Sequence, residues 1–444
     1  MDGFSKVIGS ITVDQLIKQF SSSAGFVCLD GRSSHDVSQT SFIGFNPFLT
    51  LRFEGDQTVC QWRSGKTVTD TAPFYDVVQR YYDQYYDKDL PKGAGLVMGY
   101  LGYESARCME DFSFLKSGDV MPDAWLGFYD ETIVIDHATA ESVHYCLTCF
   151  DREHTDMLND PVELTPFEIT QEVAPMISYD QYRDSVLRVL DYIKKGDAYQ
   201  VNFTYPMRGM FKGDLASLYR SLCETSDVPF SAWITLDDTC QIGSLSPERF
   251  FDINKRRVSS MPIKGTMPRG LSVDQDVQNK HALLQSAKNE AELVMIVDLI
   301  RHDLAQVCDV NTVNVPQLKR LTAYPNVFHL DAIIDGVLKK KLSPIQVIKA
   351  LFPAGSITGA PKIRATQLIQ ELEPFRRHVY TGNIGFIGFN GDADFNVAIR
   401  TFYSEGEHLY FHVGGGIVAD SSPEDEWAET KAKAKVLIAY LKGV

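Results

Sequence analysis

HLYFHVGGGIVADSSPEDEWAETKAK, residues 408–433, carries the pattern on which the architecture turns. Its first half is a run of aromatic and apolar side chains that reads as a strand and ends in Gly414, Gly415 and Gly416. Its second half opens a helix. Ser422 stands at the N-cap, Pro423 at the first helical position, and Glu424 and Asp425 in the first turn, where acids suit the helix dipole. The helix is expected to run to Lys442 and stop at Gly443. Trp427, Ala434, Ile438 and Leu441 fall on a core face, whereas Glu426, Glu429 and Lys433, at i, i+3 and i+7, project from another side. Upstream, NIGFIGF (383–389) and FNVAIRTFY (395–403) read as further strands, joined by turns at Asn390-Gly391-Asp392 and Ser404-Glu405-Gly406 into an antiparallel meander. Such strands interleaved with amphipathic helices place the chain in the α/β class, of the α+β type.

The same reading extends toward the N-terminus. SAKNEAELVMIVDLIRHDLAQV (286–307) repeats Leu293, Ile296, Val297, Ile300 and Leu304 at helical spacing, a core face, and leaves Glu292 on the polar one. Ser178 caps YDQYRDSVLRVLDYIKKG, whose stripe is Tyr182, Val186, Val189, Leu190 and Ile193 and whose end is Gly196; the strand AYQVNFTY follows. Residues 151–177 are polar, acidic and broken by proline, which predicts a linker between an N-terminal subdomain, 1–160, and a second domain, 161–444. The first contains short strands, such as SFIGFNPFLTLRFEG (41–55) and GLVMGYLGYES (95–105), around a helix near 73–86, and no catalytic constellation.

With 444 residues, 44% of them apolar, the chain can bury a large core. Forty-three Lys and Arg against 58 Asp and Glu give a net charge of −15, which repels phosphate backbones and anionic lipid, so neither nucleic acid nor membrane is an expected partner. An anionic substrate would need a local cluster of cations. The eight cysteines are scattered and the N-terminus has no basic, then apolar leader, which predicts a reducing, cytoplasmic setting. Cys146 and Cys149 form a single CxxC with no second pair, so buried strand thiols are expected rather than a zinc site.

Chemistry can be read at three places. Glu426, Glu429 and Lys433 fit a solvated face with helical ion pairs. Because the three glycines let backbone N–H groups approach an anion, they also fit a site where carboxylates and a bound anion share Mg²⁺, with Glu292 as second ligand. MPIKGTMPRG (261–270) holds Lys264 in a short stiff segment; it is either an exposed cation or, beside other cations, an amine nucleophile. FPAGSITGAPK (352–362) has the glycines of a phosphate loop but lacks the GK[ST] ending, so a P-loop is rejected.

Taken together, GYLGYE (99–104), YQVNFT (199–204), GSLSPERF (243–250), PIKGT (262–266), EAELVMIVDLIRHDL (290–304), FPAGSITGAPK, FIGF (386–389), AIRT (398–401) and the stretch from Val413 resemble the chorismate-utilising family, which comprises anthranilate, aminodeoxychorismate, isochorismate and salicylate synthases. The resemblance implies two antiparallel-rich sheets packed face to face with helices outside. It implies Mg²⁺ on Glu292 and Glu429, with Glu426 beside them. Gly265, Thr266, Tyr380, Arg400, Gly414, Gly415, Gly416 and Lys433 match positions that hold the carboxylates of chorismate. Glu248 matches the general acid near the carbon-4 hydroxyl. His329 matches an active-site histidine, although a core histidine is an equal reading of the sequence.

Two positions discriminate among members. Where isochorismate and salicylate synthases resemble one another in a lysine that activates water, this chain has Gln200, which has no useful basicity and leaves ammonia as the natural nucleophile. Anthranilate enzymes resemble PIAGT and aminodeoxychorismate enzymes PIKGT; PIKGT stands here. The implied reaction is attack of Lys264 on carbon 2, loss of the carbon-4 hydroxyl aided by Glu248, and addition of ammonia at carbon 4 to give 4-amino-4-deoxychorismate, a precursor of 4-aminobenzoate and folate. No cysteine lies in a Gly-x-Cys-x-Gly elbow, so a separate glutamine amidotransferase subunit is the implied ammonia source. The alternatives are anthranilate formation and a non-catalytic subunit binding chorismate or tryptophan; whether the N-terminal subdomain binds tryptophan is left open by LDGRSSHDVSQTSFIGF (29–45).

Overall fold

The computed structural model describes residues 4–9, 11–32, 38–118, 121–147 and 162–441. Two 12-stranded antiparallel sheets form its frame. Their central strands are apolar at successive positions, and the two-residue period of a strand sends alternate side chains to different cores. Val27, Phe42, Met98, Tyr100, Ala232, Ile234 and Phe386 fill the layer between the sheets, where the Phe42 and Phe386 rings stand 4.5 Å apart. Their chain neighbours Cys28, Ile43, Val97, Leu101 and Trp233 face the larger core, which the helices cover. Two face-to-face sheets with helices outside is the architecture the sequence resemblance implied.

The helices begin and end where their caps dictate. Ser178 and Gln181 close a capping box on helix Tyr179–Lys194, Ser286 caps helix Ala287–Val307, and the last helix, Pro423–Leu441, carries three acids in its first turn. Trp427 and Ala434 are buried and Ile438 is partly buried, whereas the Leu441 side chain and Gly443 lie outside the described residues.

Three expectations are corrected. The meander of strands after residue 383 is divided between the sheets: Asn383–Gly388 pairs with Ala393–Asn396 in one, Thr401–Glu405 with His408–Ile417 in the other. FNVAIRTFY is therefore not one strand, because its residues 397–400 cross from sheet to sheet with Arg400 at φ +52°. The expected linker contains a strand, Glu168–Pro175, at the sheet edge against Gln200–Lys212, where its exposed polar side chains face water; residues 148–161, Cys149 among them, lie outside the described residues. The boundary at residue 160 divides the chain but not the sheets. Each sheet takes five strands from before residue 147 and seven from after residue 167, joined where Val27–Asp30 pairs with Phe230–Thr235 and where Leu96–Leu101 pairs with Asn383–Gly388. No helix among the described residues is long and apolar enough to cross a membrane.

Candidate active site

Lys264 lies on the strand Ile263–Pro268, between a helix pair and the loop 353–361. Its Nζ donates to the Ser356 carbonyl at 3.0 Å. Burial pulls the amine below the ordinary lysine range, against the pull of Glu248, Glu292 and Glu429 and with the help of Lys433. Four side chains from three distant segments thus act on one amine. Glu248 itself is buried, and burial pushes its carboxyl up to about 7 although the Ser356 hydroxyl, Lys264 and the Ile263 amide all favour the ionised form. A buried acid that is half protonated near neutrality can deliver a proton, and an amine below its usual range can attack carbon.

The three glycines are not at a strand end but within His408–Ile417, paired opposite Asn202, Phe203 and Thr204. Their lack of side chains is used on one face by Gln200, whose Nε2 would meet a Cβ on Gly416 at 2.5 Å. On the other, a Cβ on Gly415 would lie 3.2 Å from Glu426 Oε2 and 3.8 Å from both Glu429 Oε1 and Lys433 Nζ. Lys433 Nζ donates to the Gly414 carbonyl at 2.9 Å and pairs with Glu429 at 2.8 Å. Burial works to raise Glu429, but Lys433, Lys288 and Lys264 outweigh it and hold the carboxyl below its usual range. Burial, together with Glu429, raises that of Glu426, which accepts from the Ser421 hydroxyl at 2.6 Å. Glu292 stands on the facing helix, within electrostatic reach of Lys264. No three acidic, His or Cys side chains among the described residues converge as a closed metal cage. Gln200 is fully buried with both amide atoms unpaired.

A second cluster sits further along the Lys264 strand. The Thr266 hydroxyl and His329 Nδ1 are 2.9 Å apart, and His329, buried on the strand Val327–Val337, has no partner at Nε2. Burial and the nearby Arg400 push His329 down to about 3, so the ring is neutral. Among the described residues Arg400 has no carboxylate partner. A largely buried guanidinium without a counter-ion suits an anionic ligand. Gly265, at φ +92°, lets the strand turn between the two clusters, and a Cβ there would meet Asn289 at 3.0 Å. Tyr380 joins through His412, which lies on the glycine strand and stacks on it at 5.2 Å.

Sequence reasoning missed what holds these parts in place. Arg377 is fully buried and donates to both Glu373 oxygens, at 2.6 and 2.9 Å, and to the carbonyls of Asn202 at 2.8 Å and Ile357 at 3.0 Å. Glu373 accepts from the Thr204 amide at 2.8 Å, and Glu104 accepts from the amides of Arg377 and His378 at 2.8 and 2.9 Å. The strand bearing Gln200, the loop bearing Ser356 and the segment bearing Tyr380 are thereby fastened to one another. Ser356 belongs to FPAGSITGAPK, but nothing in that pattern marks its carbonyl and hydroxyl as partners of Lys264 and Glu248.

The family model described as chorismate binding enzyme matches residues 26–439. The chain is 33% identical to aminodeoxychorismate synthase component 1 of Escherichia coli over 421 residues, 93% of this chain and 92% of that protein. It is 34% identical to anthranilate synthase component 1 of Saccharolobus solfataricus over 344 residues, 77% and 80% of the two chains. The crystal structure of anthranilate synthase component I from Streptococcus pneumoniae superposes with a TM-score of 0.77 at 25% identity, covering 91% of this chain and 93% of the other. A family match over nearly the whole length, on a fold shared with anthranilate synthase component I, makes this chain a member of the chorismate binding enzyme family.

Proposed function

We propose that this enzyme aminates chorismate at carbon 4 to give 4-amino-4-deoxychorismate, through a covalent adduct on Lys264. The observation that carries the reading is the meeting of Lys264 and Glu248 across Ser356, an amine below its ordinary range beside an acid near neutrality. Arg400, Lys433 and the amides around Gly414 to Gly416 supply the positive field for a dicarboxylate. Lys264 attacks carbon 2 as the ring double bonds shift and the carbon-4 oxygen leaves as water, taking its proton from Glu248. Ammonia then adds at carbon 4, the double bonds return, and the lysine is expelled. Gln200, without basicity, does not activate a competing water.

Glu292 and Glu429, with Glu426 adjacent, would hold Mg²⁺. They fit it: these are hard oxygen donors, and the space that a side chain on Gly415 would occupy borders two of them. When bound, the ion would neutralise substrate carboxylate charge. The relatives' designation as component 1 supports a second component, and a glutamine amidotransferase that releases ammonia is the natural one.

The second reading is anthranilate synthesis, favoured by relatives such as the Saccharolobus protein. Mass analysis of the product from chorismate, Mg²⁺ and ammonium tests the choice. Aminodeoxychorismate without pyruvate supports the proposal, and fluorescent anthranilate with pyruvate overturns it.

A further inference from the structure

Tyr324 has no part in the chemistry above, yet it packs against both members of the second cluster. It is buried, its ring stands 5.2 Å from that of His329 at an angle of 73°, and it lies within electrostatic reach of Arg400. The backbone accounts for this placement. Thr322, on the strand Asn314–Ala323, is registered opposite His329, and the two-residue period of a strand returns Tyr324 to the same face, diagonally beside the imidazole. The Tyr324 amide donates to the Val327 carbonyl at 2.8 Å, which closes the turn. Its carbonyl accepts from Arg269 Nη1 at 2.9 Å, and Arg269 forms a two-pronged pair with Asp276, at 2.8 and 2.9 Å, in the first turn of the helix Val273–Gln285. The tyrosine is thus fastened from outside the pocket that it faces.

We infer that Tyr324 is a positioning residue for the substrate: its ring sets the plane of His329 and walls the pocket around Arg400, so that a carboxylate meets both in one geometry. This rests on the reading of Arg400 as a contact for a carboxylate of chorismate. Thr266 holds the imidazole at Nδ1, and a second ring packed nearly at right angles limits its remaining rotation, which keeps Nε2 in one direction. Keeping water from a guanidinium strengthens its pull on an anion. Burial pushes the Tyr324 hydroxyl up to about 12, against the pull of Arg320 and Arg400, so the wall is a neutral phenol that does not repel the substrate.

The test is the split between KM and kcat in initial rates of chorismate consumption, a readout independent of which product forms. Tyr324→Leu removes the ring and is expected to raise KM for chorismate about tenfold while kcat stays within about threefold of the wild type. Tyr324→Phe keeps the ring and should bring KM back to within about twofold of the wild type. A merely structural role would reduce the folded fraction, and with it the apparent kcat, and leave KM where it was; that result overturns the inference. So does a Phe variant as impaired as the Leu one, which would assign the effect to the hydroxyl. If Tyr324→Leu does not fold, Arg269→Met decides, because it releases the Tyr324 carbonyl by removing a partly exposed pair. A KM raised about threefold there supports the inference, and an unmoved KM overturns it. Arg400→Gln separates this idea from its premise. An unmoved KM in that variant refutes Arg400 as the substrate contact, whereas a raised KM there beside an unmoved KM in Tyr324→Leu refutes the role of Tyr324 alone.

Discussion

At the scale of single residues, reactivity follows from where charge is buried. Lys264 is the sharpest case, because burial favours its neutral, nucleophilic form while three carboxylates keep the cost of the cation tolerable. Lys264→Ala is expected to lose product formation by orders of magnitude while chorismate binding falls much less, since a covalent path is replaced by direct displacement. Intact-protein mass of the wild type given chorismate but no ammonia should show an adduct, mapped between Met261 and Arg269; near-normal output from the variant would refute the nucleophile role. For Glu248 the sign is set by burial. Its carboxyl is raised to about 7, the acid form donates the proton, and turnover should therefore fall as pH rises through about 7. A kcat profile flat from pH 5.5 to 8.5 would exclude it as the acid. Glu292→Gln and Glu429→Gln should each abolish Mg²⁺-dependent turnover and leave thermal unfolding nearly unchanged, because the Glu429–Lys433 pair is half-exposed and worth at most about 1 kcal/mol. Full activity in both would remove the metal assignment.

At the scale of elements, the site depends on one buried junction. Arg377 ties the Gln200 strand, the Ser356 loop and the Tyr380 segment to Glu373. Arg377→Met is expected to cost about 3–5 kcal/mol in denaturant unfolding, because it leaves Glu373 buried without its cation. The double change Arg377→Met with Glu373→Gln should recover part of that loss. A single variant within 1 kcal/mol of wild type would show that Glu373 finds another partner. The crossing at residues 397–400 is the other decisive element: a strand continued through Arg400 would alternate its side chain into a sheet, whereas the left-handed turn leaves it beside His329.

At the scale of the whole molecule, the two segments on either side of residue 160 are complements rather than modules. A fragment 161–444 would expose the pairing edges of Phe230–Thr235 and Asn383–Gly388 and half of the layer between the sheets. It is expected to lack a cooperative thermal transition, and co-expression with 1–160 should restore one. A fragment that unfolds cooperatively alone would overturn this view. The location of the chemistry agrees, since every named site residue lies after residue 199, yet the sheets that hold them are completed by strands from before residue 147.

The sequence by itself determined the local structure and the family. Caps at Ser178 and Ser422, the apolar stripe from Leu293 to Leu304 and the turn at Asn390-Gly391 are local codes, written within a few residues and obeyed. The ordered motifs were legible for the same reason, each being short and contiguous. Only the tertiary structure decided which strands share a sheet, because central strands apolar on both faces carry no mark of their partner, and FNVAIRTFY reads alike whether it continues or crosses. Only the tertiary structure, too, brought Ser356 to Lys264 and Glu248, and Arg377 to Asn202 and Ile357, contacts spanning from 20 to 175 residues of chain. Burial and the long-range field of neighbouring charges set the ionisation of Lys264, Glu248 and His329, and both are properties of the folded surroundings rather than of the residues themselves.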